Sequence, residues 1–168
     1  FNKAATEVCE GQQWDMDFET QNNVEISEYM KMIEYKTAVL LAASLQIGGI
    51  TGGASIQEQK NLYEFGRNIG IAFQLKDDLL DAFGNPDTFG KQVGGDIMSN
   101  KKTYLYLKAL EVASDKQKNE LKKYFSISDT STEKVNIVKK IFNDLKIQSF
   151  TIDLMKEYQM RAMMHLDA

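Results

Sequence analysis

The densest chemistry in the sequence lies in Phe73-Gln74-Leu75-Lys76-Asp77-Asp78-Leu79-Leu80-Asp81. Asp77 and Asp81 are four residues apart and Asp78 and Asp81 three apart, so on a helix all three carboxylates can share one face. Like charges at that spacing destabilise an isolated helix, and the C-terminal end of a helix disfavours anions through its macrodipole. Two local penalties at one place point to a bound cation. Mg²⁺ fits: it takes oxygen ligands, keeps several waters, and uses one or two carboxylates together with substrate phosphates. A solvated acidic helix end also satisfies the bare D-D-x-x-D pattern. Turn by turn behind the acids come Gln74, Gly70, and then Gly66 or Arg67. A helical glycine costs about 1 kcal/mol against alanine, so Gly66 and Gly70 require either close helix packing or room for a ligand.

Two further groups carry charge in unusual company. Lys36-Thr37 precedes the apolar run Ala38-Val39-Leu40-Leu41-Ala42-Ala43, so the Lys36 ammonium must either snorkel to water or meet an anion. The stretch from Phe89 to Ile97, followed by Asn100-Lys101-Lys102-Thr103, combines glycines that allow close backbone approach with phosphate-compatible charge on Lys91, Lys101 and Lys102. It matches neither a P-loop nor a dinucleotide fingerprint.

The elements that must position these groups read as helices. Apolar residues recur at three and four residues, and no alternating strand pattern of useful length occurs. A first helix is predicted from about Asn2 to about Asn22. A second opens at Ser27 with Met30, Ile33, Thr37, Leu40, Leu41 and Ser44 on one broad face, and stops at the glycines from Gly48 to Gly53. A third starts with Ser55 and Glu58 as a capping box and runs to Phe83. The loop Gly84 to Ile97 is too rich in turn residues to be helical. Ser114 with Gln117, and Thr130 with Glu133, are predicted to open two more helices. The expected class is all-α, with residues 1–168 as one compact unit. Composition agrees with a globular chain, at 43% hydrophobic and 26% charged residues. Twenty basic against 24 acidic side chains leave a net charge of −4, which argues against a general nucleic-acid partner. A single cysteine suggests a reducing, cytoplasmic setting, and no apolar run is long enough for membrane insertion.

Taken together, Gly11-Gln12-x-x-Asp15, Lys36-Thr37, Phe73-Gln74-x-x-Asp77-Asp78-x-x-Asp81 and Gly90-Lys91-x-x-x-Gly95-Asp96-Ile97-x-x-Asn100-Lys101-Lys102-Thr103 resemble the trans-isoprenyl diphosphate synthases, or polyprenyl synthetases. The family includes farnesyl and geranylgeranyl diphosphate synthases. The match holds in order and spacing from near residue 8 to about residue 112. It implies an all-α bundle of the isoprenoid synthase type around a deep apolar cavity, with Mg²⁺ and diphosphates at its mouth. By this resemblance Asp77, Asp78 and Asp81 form the second aspartate-rich motif, Asp15 joins the Mg²⁺ shell, and Asp96 acts through water. Lys36, Lys91 and Lys101 hold the allylic diphosphate, and the oxygens of Thr37 and Gln74 face an allylic carbocation. Metal and lysines would stabilise the departing diphosphate while the cavity excludes water. The double bond of isopentenyl diphosphate then attacks the cation and a proton leaves. A homodimer of the full-length parent is implied.

Family members are about twice this long, and their first aspartate-rich motif lies upstream of the Gly-Gln element. The expectation is therefore a C-terminal half that is inactive alone, with Lys36 placed near Asp15 and Asp77. A non-catalytic partner subunit or a terpene-cyclase-like protein of the same fold is the alternative. Trp14 is expected to serve packing.

Overall fold

The computed structural model describes residues 1–21, 23–85 and 93–167. Nine α-helices and one π-helical turn are assigned among them, and no strand. They are α1 (Asn2–Thr20), α2 (Ile26–Ile33), a π-turn (Glu34–Ala38), α3 (Val39–Thr51), α4 (Ile56–Phe83), α5 (Gly95–Met98), α6 (Tyr104–Val112), α7 (Asp115–Tyr124), α8 (Thr132–Asp144) and α9 (Ile147–Leu166). The all-α expectation holds. No helix among the described residues is long and apolar enough to cross a membrane.

Several helix starts follow their local chemistry. Ser55 and Glu58 form the expected reciprocal cap: Glu58 N–H donates to Ser55 Oγ at 3.3 Å, and Ser55 N–H donates to Glu58 Oε2 at 2.6 Å. Ser114 and Gln117 do the same at the start of α7. The cap of α8 falls one residue later than Thr130 with Glu133. Ser131 Oγ accepts from Lys134 N–H at 3.2 Å, because the Asp129 carboxylate takes both the N–H and the O–H of Ser131 and fixes its hydroxyl there.

The chain divides into two compact units. The first comprises Phe1–Asp17, Met30–Gln74 and Asp153–Ala168. Its core includes Met32, Ile33, Ala38, Val39, Ala42, Ile71 and Ala162. The buried positions jump from Ile33 to Ala38, a spacing of five, because the π-turn inserts one residue and rotates the downstream helix by about 100°. Leu40 and Leu41, expected on the inner face, are consequently 49% and 38% exposed. Gly66 and Gly70 answer the choice the sequence left open in favour of packing. A Cβ on Gly66 would lie 2.8 Å from the Cα of Ala42, and one on Gly70 2.6 Å from the Cα of Ala38, so α4 meets α3 and the end of the π-turn backbone to backbone there.

The second unit comprises Phe18–Tyr29 and Leu75–Ile152. Leu75, Leu105, Leu121, Val138, Phe142 and Ile147 form its driest layer. The segment from Gly94 to Met98 packs on α8. Gly94 has φ +88°, and a Cβ there would strike Val135 Cγ1 at 2.5 Å, so both backbone conformation and space call for glycine.

The cap assignment is directly testable. Ser131→Ala should cost about 1 kcal/mol in urea denaturation, whereas Thr130→Ala should be near neutral. The reverse ranking would contradict the observed start of α8.

Candidate functional site

In the first unit the site residues gather on the π-turn. Helix α1 approaches it so closely that a Cβ on Gly11 would fall 2.3 Å from Lys36 N. Trp14 then stacks on Tyr35 with ring centroids 5.1 Å apart, in the packing role expected of it. On the same turn Glu34 pairs with Lys31 and Arg67, both at 3.7 Å. This bracing presents two side-chain contacts. The Lys36 ammonium donates to Asp15 Oδ2 at 2.6 Å, with side-chain exposures of 30% and 25%. Thr37 Oγ1 donates to Gln74 Oε1 at 3.0 Å. Lys36 thus meets an anion instead of snorkelling, and its partner is Asp15; Asp77 belongs to the second unit.

In the second unit the three aspartates of α4 occupy three different environments. Asp77 is exposed. Asp78 is 5% exposed and accepts a hydrogen bond from the Tyr29 hydroxyl. Asp81 is half-buried, and its carboxylate accepts the backbone N–H groups of Asp96, at 3.0 Å, and Gly95. Helical geometry separates them: residues 77 and 81 are about 40° apart around the axis, while 78 is turned about 100° from 77. The single face allowed by the spacing is therefore divided by burial. Burial pushes the Asp81 carboxyl above the usual carboxylate range, and the nearby Asp96 charge adds to the rise. The amide of Asp96, Lys101 and the amide of Gly95 pull the other way.

Asp96 sits in α5, and its Oδ1 pairs with Lys101 Nζ at 3.0 Å. The adjacent Lys102 does something else. Its ammonium donates to the carbonyls of Phe18 and Glu19 at the end of α1, satisfying helix-terminal acceptors. Burial lowers its pKa while Glu19 opposes the shift. Lys91 lies outside the described residues. Among the described residues no three His, Cys, Asp or Glu side chains converge tightly enough to hold a metal alone. The donors are nonetheless all oxygen, with Asp77 open to solvent and Asp81 within three or four residues of both other acids. That set suits a hard dication that completes its shell with water and ligand phosphate, and it does not suit a closed zinc cage. Tyr29 is the group that sequence reasoning missed, because 49 residues separate it from Asp78.

The family model for polyprenyl synthetase matches residues 1–145. The chain belongs to the polyprenyl synthetase family. It is 48% identical over 110 residues to a geranylgeranyl diphosphate synthase of Methanosarcina mazei, a match covering 66% of this chain and 34% of the relative. It is 36% identical over 151 residues to a geranylgeranyl diphosphate synthase of Saccharolobus solfataricus, covering 90% of this chain and 45% of the relative. Among solved structures, a geranylgeranyl pyrophosphate synthase superposes with a TM-score of 0.92 at 46% identity, over 99% of this chain and 52% of that one. Another, from Corynebacterium glutamicum and complexed with isoprenyl diphosphate and magnesium, gives 0.90 at 30% identity, over 97% and 46%. The chain thus spans half or less of the length of the curated relatives it matches.

Asp81 gives this family member a measurable pH signature. An acid whose pKa is higher folded than unfolded contributes its stability below the unfolded pKa and loses it as pH rises through the folded value. Asp81→Asn keeps an acceptor for the Asp96 amide but loses the one for Gly95, so the pH dependence of its stability is the readout. In chelator-treated buffer the melting temperature of the variant relative to wild type should rise between about pH 4 and about pH 7. A difference that stays flat or falls over that range would show that ionised Asp81 is stabilising.

Proposed function

We propose that the protein containing this chain is a prenyltransferase of isoprenoid biosynthesis. It condenses isopentenyl diphosphate head-to-tail with an allylic diphosphate, with Mg²⁺ as cofactor. The proposed setting is a cytoplasmic homodimer, and residues 1–168 supply the second aspartate-rich part of the synthase domain. The observation that carries this reading is the pairing of Lys36 with Asp15 beside that of Thr37 with Gln74. One contact holds an ammonium in reserve, and the other holds two side-chain oxygens at a fixed place. The isoprenyl diphosphate and magnesium bound by the Corynebacterium relative support the ligand class.

Each group has a role that its chemistry allows. Lys36, Lys91 and Lys101 are proposed to bind the allylic diphosphate as point charges. For Lys36 this means exchanging one carboxylate oxygen for a phosphate oxygen. Thr37 and Gln74 direct oxygen dipoles toward the positive charge that develops on the allylic carbon. Their mutual hydrogen bond fixes those dipoles before the reaction, which is where electrostatic catalysis gains most. Asp77, Asp78 and Asp81, with Asp15 and Asp96, are the proposed oxygen donors for Mg²⁺. When bound, the metal supplies positive charge to the leaving diphosphate. Of the three acids on α4, Asp77 is exposed and can meet a ligand directly, while Tyr29 orients Asp78 and the amides of residues 95 and 96 orient Asp81.

The test uses the full-length protein with isopentenyl and allylic diphosphates and Mg²⁺. Asp77→Ala should reduce turnover by several powers of ten, because losing a metal that holds developing charge removes several kcal/mol of stabilisation. Lys36→Met should raise the allylic KM and cost no more than about 1 kcal/mol of stability, since partly exposed ion pairs contribute little. Turnover near wild type for Asp77→Ala would end this reading.

A further inference from the structure

Lys134 has an unusual position for a lysine. It lies in the first turn of α8, where the helix dipole disfavours a cation, and its side chain is completely buried. An interior ammonium is costly unless oxygens surround it. Here three do: the carbonyls of Met98, at 3.4 Å, and Ile127, at 3.5 Å, and the side-chain oxygen of Asn100. The Phe125 ring lies 5.9 Å from the same ammonium. Burial lowers the Lys134 pKa and the nearby Asp129 carboxylate opposes the shift.

Two of those three acceptors belong to the turn that carries Lys101. That turn calls for a particular residue type: Asn100 has φ +57°, a left-handed conformation that asparagine adopts more readily than most side chains. Asn100 is held there from both ends of its amide, since its Oδ1 accepts from Lys134 and its Nδ2 donates to Ile127 O at 3.0 Å. With the turn closed, Lys101 N–H donates to Asp96 O at 2.9 Å and Lys101 Nζ reaches Asp96 Oδ1. The next residue of α8, Val135, fills the space over Gly94 at the other end of the same segment. Consecutive residues of α8 thus fix both ends of the stretch bearing Asp96 and Lys101.

We propose that Lys134 is a positioning residue, which clamps the turn at residues 98–100 and thereby sets the Lys101–Asp96 pair for the diphosphate. The catalytic part rests on the prenyltransferase reading proposed above; the clamp itself does not. Lys134 touches no proposed ligand and acts through Asn100.

Two measurements on the full-length protein separate these parts. Amide hydrogen exchange reports the clamp. Lys134→Met should accelerate exchange at Lys101 N–H and Asp96 N–H by about tenfold or more, the loss expected when a charge-assisted hydrogen bond goes. Exchange in α3 should not change, and Lys134→Arg should restore part of the protection. Steady-state kinetics report the function. Lys134→Met should raise the allylic KM about as much as Lys101→Met, and the double variant should be no worse than Lys101→Met alone. Should Lys134→Met fail to fold, Asn100→Gly takes its place, since it keeps the left-handed turn and deletes the acceptor. Unchanged exchange at residues 96 and 101 would overturn the clamp. Multiplying KM effects in the double variant would show that Lys134 acts by another route and overturn the positioning role. If Lys101→Met alone leaves the allylic KM unchanged, the diphosphate role of Lys101 falls, while the exchange data still decide the clamp.

Discussion

Much of the first unit is arranged around one requirement, that the Lys36 ammonium have an anion. It sits at the head of an apolar run, on a turn whose backbone is pressed against Gly11, and its charge is met by Asp15. The π-turn makes this possible. By inserting a residue it rotates Lys36 and Thr37 relative to α2, while Ile33 and Ala38 remain in the core. The ion pair is only partly screened from water, so it is weak enough to be exchanged. A deeply buried pair would be too costly to break. An exchangeable pair on a braced support is what a site for a highly charged, transient ligand requires.

The second unit solves a different problem, carrying Asp77, Asp78, Asp81 and Asp96 on two neighbouring segments. It does so by giving each acid its own environment. Tyr29 donates to Asp78, backbone amides of α5 donate to Asp81, Lys101 pairs with Asp96, and Asp77 faces solvent. Asp81 carries the residual strain as a raised pKa, caused first by burial.

The features legible in the sequence were those that depend on neighbours within one or two helical turns. The caps at Ser55 and Ser114, the glycines at 66 and 70, and the need of Lys36 for an anion all arise from short-range chemistry. The π-turn had no such signature, and a strict helical period therefore turned Leu40 and Leu41 inward. Tyr29 with Asp78, and Lys134 with Asn100, join residues 49 and 34 apart, and no local pattern announces either pair. Lys102 resembles Lys101 in sequence, yet chain folding gives it the carbonyls at the end of α1. The cap of α8 moved by one residue because Asp129, just upstream, selects the Ser131 hydroxyl.

The proposed role of Lys36 is to exchange Asp15 for a diphosphate. The most direct measurement is a crystal structure of the full-length protein with Mg²⁺ and a non-reacting allylic diphosphate analogue. A phosphate oxygen is expected within about 3 Å of Lys36 Nζ, with the bond to Asp15 lengthened or lost. An analogue bound while Lys36 still donates to Asp15, with no phosphate oxygen near its ammonium, would contradict that role.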